Sequence, residues 1–303
     1  MTMSIEWKGV MPATLTQFNA DYSIDHGTMA EHGKWLIKNG CTAIIPHGSL
    51  GEGATLAFEE KVALQKTYVD ALPGTPIIPG IAALSTKEAI DLAKAAKDNG
   101  CRGLMVLPPY LYASDWREMK THMSAVISAT DLACIIYNNP IAYKTDFVPA
   151  QIKELADEHA NVESVKESST DVRRMAAIRE VCGDRLVLGV GVDDCALEGF
   201  AMGAKFWITG VGDAFPRHNV KLMELAMAGK YEEAMPIYTW MLPLLRMDTV
   251  VKFVQLIKLQ QNLATGGKFG NNRVRAPRLE LSGAELAEAT AVIEKCLATD
   301  PLK

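Results

Sequence analysis

The stretch VESVKESSTD, residues 162–171, contains one complete β-to-α transition. Val162 and Val165 bracket a β-branched run that is typical of a buried strand, and the Ser, Thr and Asp residues after it are typical of a helix cap. The stretch therefore predicts a strand that ends at Lys166. A lysine desolvated at such a place loses proton affinity, and its free amine can condense with a carbonyl group. Many strand-end lysines simply extend to water, so the role of Lys166 depends on the residues around it.

The same transition recurs along most of the chain. Apolar strand-like runs lie at 10–17, 42–47, 75–81, 103–107, 133–137, 162–166, 186–190 and 205–210. Helical periodicity follows them at 25–38, 57–71, 86–99, 114–129, 149–158, 171–181, 194–202 and 216–228. Strands that alternate with helices predict a parallel sheet. Over roughly 200 to 250 residues, and without a GxGxxG after the first strand, the repeat favours a closed (β/α)8 barrel over a doubly wound sheet.

After residue 230 the pattern changes to helices only, over 231–245, 249–263 and 284–297. No low-complexity segment or long linker precedes them. We therefore expect an α/β protein: a (β/α)8 TIM barrel over residues 1–229, with a C-terminal helical appendage over residues 230–303 that packs on the barrel.

Composition excludes several classes of function. The 303 residues are 49% hydrophobic and 22% charged, with a net charge of -5. The acidic balance and the lack of a basic cluster argue against a nucleic-acid partner, and no 18-residue apolar span predicts a membrane helix. Residues 1–10 lack a signal-peptide core, so a cytoplasmic location is expected. The six cysteines have no CxxC spacing and the histidines have no metal-ligand spacing, which predicts reduced core thiols and no metal site.

Polar residues cluster at the predicted strand ends. In a (β/α)8 barrel these ends converge on the face that carries the active site. The residues there are 48–52 after the second strand, 108–110 after the fourth, 137–140 after the fifth, 166–167 after the sixth and 189–194 after the seventh. They supply a lysine that can form an imine, a tyrosine that can move protons, and a serine that can hold a carboxylate together with backbone amides.

On these residues the chain resembles the dihydrodipicolinate synthase and N-acetylneuraminate lyase family of class I, lysine-dependent lyases. The resemblance runs from residue 9 to about residue 281 and is carried by GSLGEGATL (48–56), YNNP (137–140), VKESS (165–169) and GVDD (191–194). It implies that Lys166 forms the imine and that Tyr137, activated by Ser49, relays protons. It also implies that Ser49 and the backbone N–H of Leu50 bind the carboxylate of a 2-oxo acid.

The physics of the glycine-rich turn agrees with that implication. A tight turn around Gly48 exposes backbone N–H groups that suit an anion, although such a glycine can also serve a turn alone. The covalent imine on Lys166 acts as the electron sink, so the resemblance implies no metal, pyridoxal phosphate or nucleotide cofactor. Glu52 is expected to brace the loop, and His47 to be packed.

Departures from the family pattern bear on the substrate. Dihydrodipicolinate synthases have two threonines where this chain has Ser49 and Leu50, and an arginine where it has Ala142. Without that arginine the site lacks a bidentate partner for a second carboxylate, so aspartate semialdehyde is a poor substrate candidate. The family's second relay tyrosine falls on Leu111, which Tyr110 and Tyr112 flank.

Further substrate-binding candidates are Gly191, Asp193, Asp194 and Tyr110. The GVDD stretch resembles the lyase branch of the family, in which a glycine and acidic residues hold substrate hydroxyls. The two aspartates are therefore candidate acceptors for a hydroxyl or an amine. A helix N-cap pair is an equally good interpretation of them.

Within the family, the resemblance points to the branch that deaminates Δ1-pyrroline-4-hydroxy-2-carboxylate in hydroxyproline degradation. It is carried by YNNP-x-x-Tyr143, ESSTDVRR (167–174), MDTVVKFVQLIKL (247–259) and VRAPRL (274–279). The expected reaction removes water and ammonia to give 2,5-dioxopentanoate. Three alternatives stay open: an aldolase or dehydratase of a 2-keto-3-deoxy sugar acid, 4-hydroxy-tetrahydrodipicolinate synthase (disfavoured by Ala142), and a non-catalytic sensor of keto acids. The resemblance also implies a homotetramer, a dimer of dimers, with residues 110–112 near the tight interface.

Overall fold

A curled sheet of parallel strands forms the centre of the computed structural model, which describes residues 5–109 and 111–303. The strands are β1 (Gly9–Pro12), β2 (Gly80–Ile81), β3 (Gly103–Val106), β4 (Ala133–Asn138), β5 (Val162–Glu167), β6 (Val187–Val190) and β7 (Phe206–Thr209). They are hydrogen-bonded in the order β1-β7-β6-β5-β4-β3-β2. All of these pairings are parallel, as the alternating pattern predicts.

Isolated bridges join the two edges of this sheet. Ile45 pairs in parallel with Ala13 next to β1, and Ile44 pairs in parallel with Ile77 just before β2. These residues lie where the sequence predicts a second strand over 42–47. The (β/α)8 barrel is therefore confirmed as the fold class, with its second strand reduced to two bridges. The first strand is also shorter than predicted, because Leu15 turns away to bond its N–H to Asp213 at 2.8 Å.

The helices surround the sheet. They are α1 (His26–Lys38), α2 (Phe58–Ala71), α3 (Thr86–Asp98), α4 (Trp116–Ile127), α5 (Pro140–Tyr143), α6 (Pro149–Glu158), α7 (Arg173–Cys182), α8 (Ala196–Ala201), α9 (Pro216–Met227), α10 (Tyr231–Leu245), α11 (Phe253–Thr265) and α12 (Gly283–Ala298). The short α5 was not predicted. It starts at a proline, and the side chain of Asn139 caps it by accepting from the N–H of Ala142 at 3.0 Å.

Alternation along the strands separates two apolar cores. In β4, Ile135 and Tyr137 face the barrel interior, whereas Ile136 packs in the outer core between sheet and helices. Trp7 belongs to the interior core as well. The six cysteines are all free thiols, and four of them are buried. In β5, Val165 packs in the outer core. Because successive side chains of a strand point to opposite faces, Ser164 and Lys166 point into the barrel.

The C-terminal helices are joined to the barrel by a buried ion pair. Lys258 of α11 lies 2.9 Å from Glu52, and both side chains are fully buried. The ammonium group of Lys258 also donates to the carbonyl of Thr16 at 2.7 Å. This is the packing expected for the appendage, while the boundary at residue 230 stays a prediction. No helix in the described part of the chain has the length and apolar character to cross a membrane.

Candidate active site

Lys166 and Tyr137 are direct neighbours across two strands. In the parallel register of β4 and β5, Tyr137 is paired with Lys166, so both side chains emerge on the same face of the sheet. The amine nitrogen of Lys166 lies 3.9 Å from the centre of the Tyr137 ring. Only 6% of Lys166 and 5% of Tyr137 is exposed. The barrel thus holds an amine against an aromatic face, largely removed from water.

Gly191 makes room for this lysine. It follows β6 and bonds its N–H to the carbonyl of Glu167 at 3.0 Å. A Cβ atom at Gly191 would lie 2.7 Å from Cγ of Lys166 and would also overlap Ser168. A side chain at this position would therefore displace the lysine.

The glycine-rich turn after Ile45 presents unpaired backbone donors. Gly48, Ser49 and Leu50 all line the same cavity as Lys166. Among the hydrogen bonds of the described residues, none is donated by the backbone N–H of Ser49 or Leu50. Unpaired N–H groups in a turn form a concave site that suits an anion such as a carboxylate. The turn approaches its surroundings closely, since a Cβ atom at Gly51 would lie 2.7 Å from the carbonyl oxygen of Thr14.

The hydroxyl of Ser49 contacts the hydroxyl of Tyr143, not that of Tyr137. Tyr137 instead has its hydroxyl 3.0 Å from the amide nitrogen of Asn139, which donates to it. Tyr143 packs edge-on against Tyr137 with ring centres 5.7 Å apart. The structure therefore places Ser49 in a pair with Tyr143, beside Tyr137, and the roles expected for Ser49 and Tyr137 stay predictions. Sequence reasoning missed Tyr143 as a site residue, although a second tyrosine in the same strand-end loop was a usable signal.

Ser49, Tyr137 and Lys166 line a cavity of about 400 Å³ at the carboxyl ends of the strands. Among its described lining residues, Lys166 is the only cationic side chain. Ala142 also lines the cavity, at the position where the family pattern has an arginine. The volume suits a small metabolite, and the described lining provides one amine, one phenol and amide donors.

Asp193 and Asp194, expected to bind substrate hydroxyls, are not among the residues that line this cavity. Asp193 is fully buried and accepts hydrogen bonds at 2.9 Å from Trp207, Thr209 and the N–H of Val211, and at 3.1 Å from the N–H of Gly210. Burial raises the pKa of Asp193 to about 6, although these hydrogen bonds and Lys166 oppose the shift.

A substrate-binding role for this acidic pair stays a prediction, and the contacts seen in the structure are internal to the protein. Asp193 braces the end of β7, because the turn that carries it directs the carboxylate toward that strand. Asp194 contributes its backbone carbonyl to the Tyr238 hydroxyl at 2.5 Å. Neither side chain caps the short helical segments that begin here.

The remaining candidate residues are His47 and Tyr110. His47 is buried beside Gln65, with their side-chain nitrogens 3.1 Å apart. Burial and the charge of Lys61 lower the pKa of His47 to about 3, so the ring is neutral at physiological pH. Tyr110, expected to bind substrate, lies outside the described residues.

Asp248 is a cavity residue that the sequence did not reveal. It belongs to a 3₁₀ turn, Arg246–Thr249, between α10 and α11, and its side chain lines the cavity. Burial and the charge of Asp193 raise the pKa of Asp248 well above its usual range, while Lys166 acts in the opposite direction. In the sequence, the MDTVV segment indicates kinship and no site residue. The helix predicted from residue 249 begins at Phe253, which leaves Asp248 in a turn.

Comparison with known proteins finds similarity to one family over almost the whole chain. The model of the dihydrodipicolinate synthetase family matches residues 6–296. A 4-hydroxy-tetrahydrodipicolinate synthase of Agrobacterium fabrum is 30% identical over 272 residues, which cover 89% of this chain and 92% of the relative. The enzyme of that name from Geotalea uraniireducens is 30% identical over 292 residues, covering 95% of this chain and 98% of the relative.

Solved structures agree. The crystal structure of dihydrodipicolinate synthase from Aquifex aeolicus superposes with a TM-score of 0.90 at 26% identity, covering 95% of this chain and 97% of that one. A putative dihydrodipicolinate synthetase from Pseudomonas aeruginosa gives a TM-score of 0.89 at 29% identity, covering 95% and 99%.

Substitution of Gly191 by alanine tests the packing around Lys166. We expect Gly191→Ala to slow covalent capture of a 2-oxo acid on Lys166 by about a hundredfold, because displacing a reacting group by about 1 Å has an effect of this size. The rate is measured by borohydride reduction and mass spectrometry, with circular dichroism to verify folding. Gly27→Ala is the matched control, since the nearest atom to its added carbon lies 3.5 Å away. Equal capture rates for Gly191→Ala and the wild type would contradict this geometry.

Proposed function

The chain belongs to the dihydrodipicolinate synthetase family of Schiff-base, class I lyases, and from that premise we propose that it deaminates Δ1-pyrroline-4-hydroxy-2-carboxylate. The products would be 2,5-dioxopentanoate and ammonia. The observation that carries the proposal is the combination of a buried Lys166 amine beside Tyr137 with Ala142 in the lining of the same cavity. Such a site can form an imine, but it offers no arginine to a second carboxylate.

The first step opens the ring of the substrate. The N–H groups of Ser49 and Leu50 hold the carboxylate, which places C2 of the cyclic imine next to the Lys166 amine. The amine adds to C2, and the C2–N bond of the ring then breaks. This exchange of one imine for another consumes no water and leaves a free amine on C5. The new imine joins C2 to Lys166 and, when protonated, withdraws electrons from C3.

Elimination of the 4-hydroxyl follows. Tyr137 takes the acidified proton from C3, and the hydroxyl on C4 leaves as water. A proton shift from C5 to C3 then gives an enamine at C4–C5, and a second shift from its nitrogen to C4 converts that enamine to an imine at C5. One water hydrolyses that imine and releases ammonia, and a second water releases the keto acid from Lys166. Two waters are consumed and one is formed, so the overall reaction takes up one water.

The rival activities share the first part of this chemistry. The relatives named 4-hydroxy-tetrahydrodipicolinate synthase make that reaction a direct competitor, and Ala142 is the observation against it. An aldolase or dehydratase of a 2-keto-3-deoxy sugar acid would use the same lysine and tyrosine. A keto-acid sensor would not need a buried lysine nucleophile, so Lys166 beside Tyr137 supports an enzyme.

Covalent trapping tests the Schiff base. Pyruvate with borohydride should attach a reduced adduct to Lys166, because the imine is the obligatory first intermediate. Lys166→Arg should abolish both the adduct and turnover, since a guanidinium group supplies no free amine. Mass spectrometry locates the adduct, and an adduct on any other lysine would refute the mechanism. Lys205→Arg, a change remote from the described cavity lining, serves as the control.

A substrate panel tests the choice of reaction. We expect ammonia release from the hydroxylated cyclic imine, and condensation of pyruvate with aspartate semialdehyde at less than about one hundredth of that rate, because a missing bidentate charge pair costs about 3 kcal/mol. Initial rates for both reactions and for 2-keto-3-deoxy sugar acids decide between the candidates. Robust condensation would overturn the argument from Ala142.

We further propose a homotetramer. Leu111 is 80% exposed and Tyr112 is 60% exposed, and apolar surface of this kind is commonly covered by a partner. Sedimentation at micromolar concentration should give a mass of four chains. A fully active monomer would exclude this assembly.

A further inference from the structure

One carboxyl group in the cavity has no part in the proposed chemistry. Asp248 lines the cavity together with Lys166, yet it comes from the C-terminal helical region and not from a barrel strand. Within residues 5–109 and 111–303, no hydrogen bond or salt bridge reaches its carboxylate. This contrasts with Asp193, whose carboxylate accepts four hydrogen bonds.

The backbone after β7 leaves space for this carboxyl group. A Cβ atom at Gly210 would lie 2.5 Å from Oδ1 of Asp248 and 3.0 Å from the side chain of Leu50. Asp248 therefore rests on a bare stretch of backbone, on the side where the side chain of Leu50 also approaches. Any larger residue at position 210 would push the aspartate out of this place.

The charges around Asp248 define what it can bind. Lys166 favours its ionised form, whereas burial and the carboxylates of Asp193, Asp213 and Asp194 disfavour it. A partly buried carboxyl group without a partner is costly to ionise, and a ligand that donates a hydrogen bond or carries a positive charge removes that cost. A ligand carboxylate at the same place adds another negative charge and increases it.

We propose that Asp248 is a specificity-determining residue that binds a hydroxyl or ammonium group at the end of the substrate remote from its 2-oxo carboxylate, and that rejects a second carboxylate there. The inference rests on the proposed function in one respect: Lys166 must hold C2 of the substrate. In the reaction proposed above, the groups available for Asp248 to bind are the 4-hydroxyl and the amine freed on C5. Asp248 and Ala142 then both disfavour a substrate with a second carboxylate. Asp248 repels that carboxylate, and Ala142 offers it no cation.

Two keto acids that differ in the distal group provide the test. Pyruvate has no distal group, and 2-oxoglutarate has a second carboxylate. Half-saturation concentrations for borohydride trapping on Lys166 are measured for both in the wild type and in Asp248→Asn, which keeps the side-chain shape. We expect 2-oxoglutarate to gain about tenfold relative to pyruvate in the variant, with pyruvate itself unchanged. In turnover, Asp248→Asn should lose about ten- to a hundredfold in kcat/KM for the hydroxylated cyclic imine.

Matched variants separate specificity from structure. Asp184→Asn removes an exposed carboxylate that does not line the cavity, and it should leave both half-saturation concentrations unchanged. Asp248→Ala should give the same gain for 2-oxoglutarate as Asp248→Asn, which covers the case in which the amide variant folds poorly. A gain in binding is not expected from a residue that only supports the fold.

The possible failures are distinguishable. If Asp248→Asn weakens pyruvate trapping, or leaves the ratio of the two keto acids unchanged, the specificity role is overturned. Should the wild type trap keto acids on Lys166 but release no ammonia from the cyclic imine, the deaminase proposal fails, while a changed ratio still supports the role of Asp248. If nothing is trapped on Lys166, both proposals fall together.

Discussion

The buried ion pair between Glu52 and Lys258 holds together the parts of the protein from which the site is made. The two charges are 2.9 Å apart with no exposed side-chain surface, and Glu52 also accepts a hydrogen bond from the N–H of Arg275 at 2.9 Å. Removing one partner of such a pair typically costs about 3–5 kcal/mol, because the other charge stays buried. Glu52 lies in the glycine-rich turn and Lys258 in α11, so the pair ties the carboxylate-binding amides to the helical region that supplies Asp248.

The reactive centre itself depends on the regular part of the barrel. Parallel pairing of β4 and β5 places Tyr137 beside Lys166 without help from any loop. Two glycines provide the space that the side chains of the site occupy. Gly191 lies next to Lys166, and Gly210 lies next to Asp248. Both act by the absence of a side chain. Substitution at either position would therefore move a functional group while leaving the sheet intact.

Chemistry and substrate choice are located on different parts of the molecule. Lys166 and Tyr137, the residues proposed for the chemistry, are on the strands β5 and β4. Ala142 and Asp248, the residues proposed to select the substrate, are on the short helix α5 and on the turn before α11. A rigid scaffold with variable loops is the usual arrangement in this fold, and it lets one mechanism serve several substrates.

The sequence by itself determined the barrel, the order of its elements, and the placement of Lys166 and Tyr137 at strand ends. Strand and helix periods are local properties, so they can be read from neighbouring residues. Only the tertiary structure decided that Ser49 contacts Tyr143, 94 positions away, that Asp193 braces β7, and that Asp248 enters the cavity. These residues lie in irregular turns, where no period determines the direction of a side chain. Their partners are far apart in the chain, and packing of the complete barrel against its C-terminal helices brings them together.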